Sequence, residues 1–198
     1  MMKRFLAILV LGLFLITPSW ADDIFEYQIE GISIGDSLLD HLSKEEIITE
    51  IERNKPRYNY LTDEFGEVYL YGKFEIYDSL SFFVKPDDEN YTIYYIAGTI
   101  QYDDKIKQCY AKQKEIVKEF SVIYKNTRKI EESGLFPWDP TGKSTARNVQ
   151  FIFNSGDVIL VSCYKYEKSL KIKNNWADNL SVEIKKKEQR DWMKNHIN

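Results

Sequence analysis

The residue period of the middle of the chain constrains the fold most. Ile106, Cys109, Tyr110, Gln113, Ile116, Val117, Phe120, Ile123 and Tyr124 recur at spacings of three and four, with lysines and glutamates filling the gaps. That period predicts an amphipathic helix over 104–126 whose apolar stripe needs a partner layer. On both sides of it the period falls to two. Val68–Tyr71, Leu80–Val84 and Tyr91–Tyr102 read as strands before the helix, and Val149–Phe153, Val158–Tyr166 and Leu180–Lys186 as strands after it. Their β-branched and aromatic residues suit a pleated, half-buried surface. Pro86–Asn90 and Asn154-Ser155-Gly156-Asp157 have turn chemistry, so each joins its flanking strands in a hairpin. Leu180–Lys186 carries lysines that suit an exposed edge. Residues 127–147, with Gly134, Pro137, Pro140 and Gly142, read as a surface loop, and 187–198 as a frayed or helical tail.

Helix signals also stand upstream. Asp36 can cap a short helix bearing Leu38, Leu39 and Leu42. Ser43-Lys-Glu-Glu46 is a capping-box pattern ahead of Ile47, Ile48 and Ile51. Pro56 stops that second helix, so it ends by Asn54. The element order is helix, three strands, helix, three strands. It predicts a two-layer α+β domain, an antiparallel sheet packed by helices on one face. At 43% hydrophobic residues the chain has enough apolar material for one such core over residues 22–198.

The first 21 residues read as a signal peptide. Lys3 and Arg4 precede an apolar run from Leu6 to Ile16, and Ser19 and Ala21 supply the small residues of a cleavage site. A bilayer span takes about 20 apolar residues, which the run does not reach. No later segment is apolar and long enough to span either. These features point to a periplasmic or secreted protein. In an oxidising compartment Cys109 and Cys163, the two cysteines of the chain, are expected to pair. The bond would tie the long helix to the fifth strand. It would turn Ile159, Val161 and Cys163 toward that helix and Leu160 and Tyr164 away from it.

Catalytic and ligand motifs are weak. Gly142-Lys143-Ser144-Thr145 has the end of a phosphate-binding loop, but Pro137 stands where that motif needs glycine. His41 and His196 form no metal-binding spacing, and there is no Gly-x-Ser-x-Gly elbow. Asp87-Asp88-Glu89 and Asp103-Asp104 lack the spacing of an EF-hand. No metal ion and no cofactor is expected, and a formal net charge of −4 disfavours a nucleic-acid surface. The positive feature is tyrosine, 14 in all. Strand alternation places Tyr91 and Tyr95 on one face of the third strand and Tyr94 and Tyr102 on the other. If helices cover one side of the sheet, the second side is open, and Tyr94 and Tyr102 are the candidate binding face.

Tyr27-Gln-Ile-Glu-Gly31-Ile-Ser-Ile-Gly35-Asp-Ser-Leu-Leu39, Ser43–Glu46, Ile96-Ala-Gly98-Thr-Ile100 and the stretch from Asn154 to Tyr164 together resemble a set of small exported bacterial proteins of unknown function. The resemblance spans most of the chain after residue 21, and implies a fold and export but no activity. A more distant likeness is to the small α/β domains of the outer-membrane assembly lipoprotein BamE and of β-lactamase-inhibitor proteins, which begin with a glycine-led pair of short helices packed on a sheet. That likeness favours a binding role. Three functions are then in view: a non-catalytic module that binds an envelope protein or ligand through its sheet, a carboxylate-dependent envelope hydrolase, and an inhibitor of a secreted enzyme using a loop at 133–145.

Overall fold

The structure is a computed structural model and describes residue 24 and residues 27–57, 63–72, 74–137 and 139–196. The signal peptide expected over 1–21 lies outside the described residues. After a small hairpin of β1 (Gln28–Ile29) and β2 (Ile32–Ser33), a single 3-10 turn (Leu38–Asp40) precedes α1 (Lys44–Asn54). The first half continues with β3 (Gly66–Tyr71), β4 (Ser79–Val84) and β5 (Ile93–Asp103). The second half holds α2 (Ile106–Ile123), β6 (Arg128–Leu135), β7 (Thr145–Ile152), β8 (Val158–Lys165), α3 (Lys168–Asn174), β9 (Asp178–Lys185) and α4 (Lys187–His196). β3 to β9 form one antiparallel sheet in the order β3-β4-β5-β9-β8-β7-β6. This is the expected α+β architecture, with helices packed against an antiparallel sheet.

Local chemistry accounts for the elements. The Ser43 hydroxyl accepts from Glu46 N, and the Glu46 carboxylate accepts from Ser43 N, closing the capping box of α1. The cap of the preceding turn is Ser37 rather than Asp36; Asp36 instead accepts from Ser33 N at 2.8 Å. Both expected hairpins form, with Gly156 at φ 88° in the second.

One face of the sheet carries the core. Val68, Leu80, Phe82, Val84, Ile93 and Ile96 from the first half join Val149, Phe151, Ile159, Val161, Leu180, Val182 and Ile184 from the second, all buried with α1's Ile47 and Ile51 and α2's Phe120. Cys109 and Cys163 stand at disulfide distance, their Cα atoms 6.0 Å apart and both side chains fully buried. Ile159, Val161 and Cys163 face α2, as the cysteine pair requires. Leu160 and Tyr164 point away. The Gln113 amide donates to Arg147 O and Val161 O at 2.7 and 2.9 Å, a polar rivet between helix and sheet.

Three differences from the sequence-based expectation have physical causes. Residues 128–135 and 145–148 are strand rather than loop. β6 is an edge strand with seven of its eight residues exposed, so it lacks apolar alternation while its backbone still bonds to β7. β9 is not an edge; it lies at the centre between β5 and β8. Its lysine-rich end, Lys185–Lys187, masks an interior where Leu180, Val182 and Ile184 face the helices and Ser181 and Glu183 face the other side, all buried. The C-terminal segment takes the helical alternative, as α4, and departs from the expectation that helices pack on one face only. Its Trp192 packs on Phe65 and Phe83, on the side of the sheet opposite α1 and α2.

Gly98 shows how tightly the β3–β4 connection is fitted to the sheet. A Cβ there would stand 2.5–2.6 Å from carbons of the Tyr77 ring. The ring cannot retreat easily, because the Glu30 carboxylate accepts from the backbone N–H groups of Glu75, Ile76 and Tyr77 at 2.7–3.1 Å. Gly98→Ala should therefore cost about 1–3 kcal/mol, the usual range for overpacking. Urea unfolding of the variant checks this, and an unchanged midpoint would show that the Glu30 clamp gives way.

Candidate functional site: the second face of the sheet

Strand alternation that sends the apolar residues to α1 and α2 sends a different set to the other face. One register row crosses all seven strands as Tyr71–Ser79–Thr99–Ser181–Ser162–Asn148–Glu132. Every member is polar, and the central ones are short. The adjacent row reads Tyr69–Ser81–Ala97–Glu183–Leu160–Gln150–Ile130. A strip of small side chains thus runs between larger rings, and those rings lean over it. The hydroxyls of Tyr69 and Ser79 are 2.9 Å apart, and Ser79, Ser162 and Ser181 are buried.

Glu183 is the centre of this face. It is 5% exposed and accepts from the Tyr95 hydroxyl at 3.2 Å, from the Tyr164 hydroxyl at 3.4 Å and from Lys185 Nζ at 2.7 Å. A buried carboxylate needs such partners, since an unpaired one is very costly. Lys185 also lies over the Tyr95 ring, 5.5 Å from its centroid. Burial, then the Glu183 charge, pushes the Tyr95 and Tyr164 hydroxyls well above the ordinary tyrosine range. Burial likewise lifts Tyr166 to about 12. These hydroxyls are fixed donors at neutral pH.

Aromatic residues rim the strip at both ends. Tyr69 and Tyr71 lie 4.7 Å apart by centroid, with Tyr71 66% exposed. At the other end Phe136, Tyr164, Tyr166 and Trp176 contact one another at 4.8–6.1 Å, with Trp176 40% exposed. The sequence carried one signal for this arrangement: the alternation of Ser181, Glu183 and Lys185 with Leu180, Val182 and Ile184, which marks two different faces rather than an edge.

Of the residues singled out from sequence, the structure brings Cys109 and Cys163 together and separates Tyr94 from Tyr102. The β4–β5 register slips between Phe83 and Val84, so Tyr94 is an extra residue in the ladder. Tyr94 and Tyr95 therefore both leave the helix side. Tyr94 packs edge-on against Phe65 beside Trp192, with Lys85 and Lys186 over its ring. Tyr102, seven residues beyond Tyr95, packs into the core on the helix side.

The remaining motifs stay apart. His41 is exposed beside the first turn, and His196 Nδ1 lies 2.8 Å from Trp192 O on α4. In the Gly142–Thr145 loop the Asp139 carboxylate accepts from Thr141 N, Lys143 N and Ser144 N at 2.6–3.0 Å. Burial alone would raise this carboxyl, but the bonds from Thr141 and Ser144 outweigh it and hold it well below the usual range. The loop's amides are thus already spent on a carboxylate, and a phosphate would find them occupied. No group of three His, Cys, Asp or Glu among the described residues is placed to hold a metal ion. No described helix is long and apolar enough to cross a membrane. Comparison with family models, curated proteins and solved structures finds no match to this chain.

Proposed function

We propose that the protein is an exported binding module that meets an envelope protein or ligand through the second face of its sheet. The observation that carries the reading is the hydroxyl strip around Glu183, rimmed by exposed Tyr71 and Trp176. Tyrosine and tryptophan offer contact area and a polar group at low entropy cost, which suits them to recognition surfaces. Export is supported by the apolar run from Leu6 to Ile16 and by the buried cysteine pair, which needs an oxidising compartment to close.

The hydrolase reading needs a carboxyl held protonated as a general acid. Among the described residues every carboxyl whose pKa clearly departs moves down, Asp88 and Asp139 among them. The inhibitor reading needs a protruding loop over 133–145. Residues 133–135 and 145 are strand, and Asp139 gathers the span between them. The geometry favours the binding face over both.

A photo-crosslinking residue placed at Tyr71 or at Trp176 in the producing cell tests this. The expected result is the same discrete adduct from both positions and none from Val122, which is 73% exposed on α2. An adduct from Val122 but from neither rim position would overturn the proposal.

A further inference from the structure

The two edges of the sheet are treated differently. At the β3 edge α1 packs over the strand, with Ile51 against Gly66 and the Asn54 amide donating to Glu67 O at 3.1 Å. At the other edge β6 is bare, running Arg128-Lys129-Ile130-Glu131-Glu132-Ser133-Gly134-Leu135 with all but the half-buried Ile130 exposed. A bare strand edge is a template for another strand, and charges there normally guard it. Here the charges have an internal order: two bases, one apolar residue, two acids.

Backbone geometry fixes which of these residues face outward. In an antiparallel ladder N–H and C=O point to alternate sides along the strand. Phe153 N donates to Asp157 O, so the odd residues of β7 aim at β8 and the even ones at β6. Phe136 N donates to Ser144 O, which agrees. The β6 partners of those even residues, Arg128, Ile130, Glu132 and Gly134, therefore spend their backbone groups on β7. Lys129, Glu131, Ser133 and Leu135 present theirs to the open side.

We infer that β6 pairs antiparallel with β6 of a second copy of this chain, on a two-fold axis at Ile130. Outward residues must pair with outward residues, which limits the registers. A shift of one residue along the strand moves the axis onto Lys129 or Glu131 and sets like charges against each other. With the axis at Ile130, Lys129 faces Glu131 of the other copy in a hydrogen-bonded pair, and Arg128 faces Glu132 in a non-hydrogen-bonded pair. Lys129 and Glu131, bridged within each chain at 2.9 Å, meet their opposites again across the joint, and Arg128 and Glu132 gain an opposite charge there. The same charges that repel other strand edges accept this one. The joint is short, in the class of small and transient interfaces. Its charge pairs are exposed, so association should weaken with added salt. The sheet would then continue from one copy to the next.

The test is sedimentation of the purified chain over a concentration series, together with single cysteines in the exposed strand. Dimer should grow with concentration and diminish with salt. Ile130→Cys should give a disulfide-linked dimer under mild oxidation, because directly opposed Cβ atoms of such a pair lie about 4.5–5.5 Å apart. Ser133→Cys, six residues out of register with its copy, should not. Arg128→Glu with Lys129→Glu should reduce dimer at least tenfold. Adding Glu131→Lys and Glu132→Lys to that variant should restore it. A chain that stays monomeric throughout, a link at Ser133 but not at Ile130, or a dimer indifferent to the charge reversal would each overturn the inference.

Discussion

Replacing Cys163 with serine is expected to lower the free energy of unfolding by about 4 kcal/mol, the chain-entropy value for closing a loop of 54 positions. The bond joins the buried side of α2 to β8, elements far apart in sequence that would otherwise search for each other. The site adds to the loss, because Cys163 is fully buried among apolar residues and a serine hydroxyl there needs a partner. Urea unfolding should show a midpoint lower by about 2 M, for a slope in the middle of the range for small proteins. Reductant should lower the wild-type midpoint too, by somewhat less because no serine is introduced, and leave the variant where it is. Two thiols titrating under denaturant without reductant, or a midpoint indifferent to reductant, would contradict this.

The second large effect is alkaline. Tyr27, Tyr69, Tyr77, Tyr95, Tyr102, Tyr164 and Tyr166 all have pKa values raised, in each case chiefly by burial. Tyr77 and Tyr166 lie at about 12, against about 10 for a free tyrosine. A raised pKa means that the fold favours the protonated form. The stability these groups contribute is complete below pH about 10 and is lost as pH climbs through the folded values. The buried tyrosines should stay silent near pH 10, the ordinary range of a free tyrosine. They should then ionise together in one step that coincides with the loss of secondary structure. Tyrosinate absorbance and far-ultraviolet circular dichroism, followed over the same titration, check this. Gradual ionisation of all the tyrosines around pH 10 with the fold intact would show that the rings are not buried as described.

Much of the architecture follows from residue pattern. The 3-and-4 period of Ile106–Tyr124 marks α2, the Ser43–Glu46 box marks the start of α1, and turn chemistry marks both hairpins. Tertiary context decides the rest. β6 is held by backbone bonds alone, and side chains exposed on both faces leave no period to read. β9 resembles an edge because its lysines lie at its end, where they reach water, while its buried polar interior meets tyrosines from β5 and β8. The candidate face was legible as a tyrosine surplus but not as positions. One extra residue at Tyr94 inverts the facing of everything on one side of it, and parity counted straight along β5 cannot show that. Glu183 was hidden for a related reason. A carboxylate becomes a centre only when Tyr95 and Tyr164 reach it from neighbouring strands, 88 and 19 residues away.

The central claim is that the main core packs on one face of the sheet and the exposed aromatic rim of the other face meets a partner. The most direct measurement pairs Tyr71→Ala/Trp176→Ala with Val122→Ala/Ile48→Ala and compares the adducts a lysine-reactive crosslinker forms in the producing cell with urea midpoints of the purified chains. The account predicts that the rim pair abolishes the adduct with its midpoint within about 1 kcal/mol of wild type, since all four side chains are exposed. It predicts that the helix pair leaves both readings unchanged. An adduct undiminished by the rim substitutions, or lost with the helix substitutions instead, would contradict it.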